Sequence, residues 1–347
     1  FRVDLRGEID LVEEIARMRG YERISASDPS AAAPDAAGSG RGRARSIARD
    51  ALCAMGFSEA VTLSFMGAAD MERLMWGPDD PRRAAVAIRN PVNEELSLLR
   101  TTLLPSMMRC LGLNASRGAH DARFFELGAV FLPAARGGPP VERERLALAA
   151  TGLSSPSNWC AAGREADYFF LKGALESLLE RGGPALGVER AARGGFHPGR
   201  CASLFLGGEE WGCLGEIHPS VAEAYGLRGR AVFAEVDAGP LLELLSSPAR
   251  HRALPRFPAV RRDVAVVADA GAEAARLIAC IRAAGPGLVE TVTLFDLFTG
   301  AQIAAGKKGL AFSVRLRPKD GTLTDAQIAG AMERIREALR GEGCEIR

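Results

Sequence analysis

The spacing of apolar positions divides the chain into stretches of different texture. Residues 1–5 alternate as the end of a strand does, and 9–18 place apolar side chains at helical spacing (Leu11 or Val12, Ile15, Met18), predicting a short helix that stops at Gly20. Residues 25–42, SASDPSAAAPDAAGSGRG, offer little to bury and predict a linker, with a first domain ending near residue 28. From 43 to 245, helices over 44–55 and 169–180 mix irregularly with strands over 124–131, 202–206 and 231–236. That mixture predicts an α+β domain around an antiparallel sheet.

The break Ser246-Ser247-Pro248 precedes the most legible unit, over 254–347. Strand 263–268, helix 273–284, strand 288–298, strand 308–316, helix 325–340 capped by Thr324, and a last strand 344–346 follow one another there. The order βαββαβ predicts a ferredoxin-like fold.

Composition narrows the functional classes. A chain of 347 residues, 47% hydrophobic and 25% charged, is globular and long enough for two or three domains. Its net charge of +1 excludes a general polybasic coat, so any RNA contact has to be a local patch. Residues 254–347 hold 14 basic and 11 acidic side chains, a balance of +3, against −2 for the remainder. Seven cysteines without a CxxC predict a reduced, cytoplasmic compartment. No apolar run approaches the roughly 18–20 residues that span a bilayer, and no membrane role is expected. The opening Phe1-Arg2-Val3-Asp4, without an initiator Met, reads as a piece of something longer.

Several groups of residues invite chemistry. Asp4, Asp10, Glu13 and Glu14 read either as a capping box, with Asp10 capping the helix, Glu13 reaching back and Glu13 pairing Arg17, or as a hard-cation site. His197, Cys201, Cys213 and His218 lack zinc-knuckle spacing and read as core cysteines and turn histidines. Lys308-Gly-Leu-Ala-Phe-Ser-Val-Arg315 imitates the RNP1 signature of RNA-recognition motifs, but Leu310 and Arg315 stand where aromatic rings should stack bases. A stand-alone RNA-recognition module is therefore the weaker alternative. Arg123-Phe-Phe-Glu126 is one residue off the Arg-x-Glu of class II synthetases, and no Walker loop, GxSxG or HExxH occurs.

Taken in order, the longer motifs resemble the β subunit family of bacterial phenylalanyl-tRNA synthetases. Residues 1–4 (FRVD) and 10–21 (DLVEEIARMRGY) look like the end of its B5 domain. Residues 90–105 (NPVNEELSLLRTTLLP), 125–128 (FELG), 171–173 (LKG), 197–200 (HPGR) and 215–219 (GEIHP) look like its catalytic-like domain. Residues 256–263 (RFPAVRRD), 294–296 (LFD), 306–308 (GKK) and 322–325 (TLTD) look like its ferredoxin-fold anticodon-binding domain.

The resemblance implies three parts, a B5 remnant over 1–28, a class II synthetase-like antiparallel domain over 43–245 and a ferredoxin-like domain over 254–347. It implies a non-catalytic β-subunit portion of an enzyme that attaches phenylalanine to tRNA(Phe) using ATP. The active site is expected on an α subunit in an α2β2 heterotetramer. It further implies Mg²⁺ at Asp4, Asp10, Glu13 and Glu14, shared with that α subunit. For tRNA contact, charge nominates Arg261, Arg262, Lys307 and Lys308.

Overall fold

The computed structural model describes residues 2–26, 40–134, 138–248, 253–300, 302–318 and 320–347. The end of the first predicted part, at 28, and most of the predicted linker lie outside the described residues. The chain forms two compact units, Phe1–Ala249 and Arg250–Arg347.

The first unit is organised by a seven-stranded sheet, ordered Ser58–Glu59, Ala122–Leu132, Val141–Thr151, Ala231–Asp237, Glu209–Ile217, Phe196–Leu206 and Leu186–Arg190. Every pairing is antiparallel except the short edge pair Ser58 with Phe124 and Glu59 with Phe125. The central strands read as near-continuous apolar runs because both of their faces are covered. Leu146, Leu148, Ala150, Val232, Ala234 and Val236 point into one core, shared with the helices Gly40–Ala54, Tyr168–Leu179 and Ala238–Ser246. The alternating neighbours Ala147, Ala149, Ala231 and Phe233 point into the other, filled by Met66, Trp76 and the helix Leu104–Ser116.

Two sequence expectations need correction. The helix expected from residue 44 starts at Gly40, inside the glycine-rich run, because Arg41 and Arg45 both reach Glu144 at 2.8 Å and anchor the extra turn. Residues 2–5 form a turn and not a strand end: Leu5 N–H reaches the Arg2 carbonyl at 3.4 Å, and Arg2 folds onto Asp4 at 2.7 Å. A lone strand has no ladder to satisfy its backbone, so a local ion pair decides the conformation.

The second unit is a four-stranded antiparallel sheet, ordered Val289–Phe298, Lys307–Leu316, Val260–Asp269 and Glu345–Ile346. Helices Ala274–Ala284 and Asp325–Gly341 fall after its first and third strands in the chain, which gives the predicted βαββαβ order. Thr324 caps the second helix, accepting from Gln327 N–H while the Gln327 side chain accepts from the Thr324 amide at 2.9 Å. Alternation puts Val264, Val266, Leu310, Phe312 and Val314 against both helices, leaving Arg261, Asp263, Ser313 and Arg315 on the open face.

Candidate functional site

The N-terminal carboxylates do not converge. The helix Glu8–Arg19 has Gly7 as its N-cap, so Asp10 sits in the third helical position and not at the cap. Its carboxylate accepts from the Arg6 and Gly7 amides, both at 2.8 Å. Glu14, not Glu13, pairs with Arg17 at 2.5 Å and also takes Arg2 at 2.7 Å, while Glu13 is exposed. Hydrogen bonds from these two guanidinium groups hold the Glu14 carboxyl down to about 2. Among the described residues no three His, Cys, Asp or Glu side chains form a metal-binding group. As arranged, these four carboxylates do not fit a Mg²⁺ ion: an arginine stands between Asp4 and Glu14, and backbone amides take Asp10.

Inside the first unit the buried charged groups are partnered within the unit, whereas Trp76 Nε1 and Ser106 Oγ are buried without a hydrogen-bond partner among the described residues. Arg100 and Glu126 form a salt bridge at 2.9 Å with side chains 2% and 3% exposed. The Arg100 Nε–H donates to the Ala129 carbonyl at 2.8 Å and Nη1 to the Thr62 hydroxyl at 2.7 Å, while that hydroxyl donates to Glu126 at 2.6 Å. A Cβ on Gly128 would lie 2.6 Å from Arg100 Nη2 and 2.8 Å from Glu126 Oε1, so the FELG motif supplies both the carboxylate and the space beside it. Arg123 lies on the opposite sheet face and donates to the Ser154 carbonyl at 2.7 Å. It cannot act together with Glu126, because an odd separation along a strand reverses the face.

A second network centres on Asp70, which is fully buried. It accepts from the Gly67 amide at 2.9 Å and from the Tyr225 hydroxyl at 3.0 Å, and it pairs with Arg109. Glu235 takes the Thr102 hydroxyl at 2.6 Å and the Leu103 amide at 2.8 Å. The cysteines and histidines take structural roles. His218 caps the helix Pro219–Ala224, His197 accepts from the Gly199 amide at 3.1 Å, and Cys201 and Cys213 are buried. Burial pushes the Cys213 thiol up to about 12, which keeps it protonated.

In the second unit the nominated cations separate into two pairs. Arg261 lies opposite Arg315 at one end of the strand pair, and Lys307 opposite Asp269 at the other, eight residues or roughly 26 Å away. Arg261 bonds the Ser313 hydroxyl at 2.5 Å, and Lys307 pairs with Glu345 at 2.7 Å. Among the described residues, Arg262 donates to the Arg261 carbonyl and makes no ion pair, and Lys308 likewise makes none. Phe312 is fully buried on the helix side, and Ile303 lies over Gly309 on the open face, where a Cβ would come within 2.9 Å of it. An aromatic stacking platform of the RNA-recognition type is therefore not formed on this strand.

Comparison with known proteins places this arrangement. Residues 24–238 match the model described as "Phenylalanyl tRNA synthetase beta chain CLM domain", and residues 255–347 match "Ferredoxin-fold anticodon binding domain". The chain belongs to the phenylalanyl-tRNA synthetase beta chain family. It is 42% identical over 347 residues to the phenylalanine–tRNA ligase beta subunit of Symbiobacterium thermophilum, covering 100% of this chain and 39% of that protein. It is 40% identical over 344 residues to the beta subunit of Moorella thermoacetica, covering 98% and 42%. The chain thus spans about two fifths of the length of these relatives. Among solved structures, a pyrrolysyl-tRNA synthetase from Desulfitobacterium hafniense aligns with a TM-score of 0.46 at 16% identity, covering 68% of this chain and 75% of that one.

Within this beta chain family member, sequence reading missed the partners of Glu126 and all of the Asp70 network. One signal was available: Arg100 interrupts the apolar run Leu98-Leu99 and Leu103-Leu104, and a charge buried there requires a carboxylate nearby. Among the described residues no helix is long and apolar enough to cross a membrane.

Proposed function

We propose that this chain serves a phenylalanine–tRNA ligase as non-catalytic β-subunit scaffold, with the second unit contacting tRNA(Phe). The reacting groups, ATP and phenylalanine belong on this reading to an α subunit, in an α2β2 assembly in the cytoplasm. In this proposal residues 1–28, 43–245 and 254–347 are the three functional parts. The observation that carries the non-catalytic reading is that the buried charged groups of the first unit are engaged within it. Both sheet faces are packed with apolar side chains, and Arg100, Glu126, Asp70, Tyr225 and Glu235 are all engaged with groups of the same unit. A catalytic constellation needs polar groups aimed at a space where a reacting atom sits, and these are aimed at each other.

For the second unit, support comes from the match to an anticodon-binding model and from the cations on its sheet. Arg262 and Lys308, free of carboxylate partners among the described residues, are the stronger phosphate ligands of the four nominees; Arg261 and Lys307 share their charge with Asp263 and Glu345. Charge reversal by Arg262→Glu or Lys308→Glu is expected to weaken tRNA(Phe) binding and to lower the log–log salt slope by about one for each phosphate no longer neutralised. Titrating labelled tRNA(Phe) at several salt concentrations checks this. Slopes identical to the unaltered chain would assign both residues to a solvated face.

A further inference from the structure

One concave site in the second unit has the chemistry of a ligand pocket. A cleft of about 330 Å³ opens where the entry to the first strand, the turn before the second and the exit of the third meet. Its apolar lining is formed by Pro255, Phe257, Leu288, Val289 and Pro318. Glu290 supplies a carboxylate that is held in place from both sides. Arg317 Nε–H donates to one oxygen at 2.8 Å and Arg315 Nε pairs with the other at 2.8 Å, which leaves each oxygen a lone pair for a further donor. Arg317 also donates through Nη1 to the Phe257 carbonyl, so one guanidinium fixes both the aromatic wall and the carboxylate. Arg256 stands exposed at the rim without an ion pair among the described residues.

We propose that this cleft seats a single unstacked nucleotide bearing an exocyclic amino group. The base lies against Phe257 and the proline rim, its amino group donates to Glu290, and its phosphate meets Arg256. The volume sits at the lower end of small-ligand pockets and suits one base. Its mixed charge selects against other polyions. An acidic peptide brings carboxylates against Glu290, and a basic peptide meets three arginines. A nucleotide carries an anion at one end and amino donors at the other, and carboxylates read such donors on cytosine N4. Arg261, directly across from Arg315, continues the positive track away from the cleft along the open face.

This inference rests on the tRNA-contacting reading of the unit, and the experiment separates the two. Binding of labelled tRNA(Phe) to the whole chain is competed with the tetranucleotides r(CCCC) and r(UUUU), for the unaltered protein, Glu290→Gln and Arg256→Glu. The unaltered chain is expected to favour r(CCCC) about tenfold, the Glu290→Gln chain to lose that preference, and the Arg256→Glu chain to bind both oligonucleotides about tenfold more weakly. Both variants sit on the surface, and a circular-dichroism melt confirms that each is folded. Failure of the unaltered chain to bind tRNA(Phe) would overturn the tRNA reading and this one with it. Binding of tRNA(Phe) with equal affinity for the two tetranucleotides, or with a preference that survives Glu290→Gln, would overturn the cleft assignment alone.

Discussion

Truncating Arg100 to Ala is expected to destabilise the first unit by about 3–5 kcal/mol, because it strands the Glu126 carboxylate on a buried sheet face. The loss exceeds that of any surface pair, where exposed ions contribute about 0–1 kcal/mol. The network also loses the donor that satisfies the Ala129 carbonyl and one partner of Thr62. Replacing both charges by apolar side chains of similar volume, Arg100→Met with Glu126→Leu, is expected to recover most of that stability, since the desolvation cost disappears with the ions. Urea unfolding of the three chains, followed by tryptophan fluorescence, measures both effects. A single variant within about 1 kcal/mol of the unaltered chain would mean that the pair is not buried as the structure shows it.

A loss of similar size, again about 3–5 kcal/mol, is expected for Asp70→Ala. Asp70 holds three elements at once: the Gly67 amide at the start of its own short helix, Arg109 on the helix Leu104–Ser116, and the Tyr225 hydroxyl after the helix Pro219–Ala224. Burial, with the adjacent carboxylate, pushes the Tyr225 phenol well above its ordinary range, so it remains a neutral donor. Tyr225→Phe removes only that donor and is expected to cost about 1–3 kcal/mol. Thermal melts rank the two; a Tyr225→Phe chain less stable than Asp70→Ala would place the centre of the network on the wrong side chain.

The second unit was legible almost residue by residue because its pattern is local. Period-two runs, a capped amphipathic helix and Gly-Pro-Gly punctuation each determine one element, and βαββαβ admits few arrangements. Strand ends moved by one to three residues, as where 263–268 became Val260–Asp269, since pairing with Lys307–Leu316 extends the ladder past the apolar stretch. The first unit was legible only as a class. Its sheet order joins strands far apart in sequence, such as Val141–Thr151 with Ala231–Asp237, and no local pattern carries that pairing. The same holds for its ion networks: Asp70 and Tyr225 are 155 residues apart, so neither announces the other. At the N-terminus the spacing of the carboxylates and a glutamate pairing with Arg17 were visible, but not that Glu14 takes Arg17 in place of Glu13 or that Arg2 joins it. Arg2 and Arg17 lie within reach of Glu14, and a near cation of the chain itself decides the geometry.

The cleft around Glu290 shows the same limit from the other direction. Arg256, Arg315 and Arg317 could be counted as basic residues from the sequence, but nothing in the count places Arg317 between Phe257 and Glu290. Charge composition located the unit that carries the cations; the fold separates them into the two ends of a sheet and one pocket.

The central claim is that this chain is scaffold and RNA contact for a ligase whose reacting groups lie on another subunit. The most direct measurement is aminoacylation of tRNA(Phe) with phenylalanine and ATP by a purified α subunit, with and without this chain. The account predicts no product from this chain alone, stable co-elution of the two proteins, and more product from the mixture than from the α subunit by itself. Charging by this chain without the α subunit, or an α subunit that neither binds it nor gains activity from it, would contradict the account.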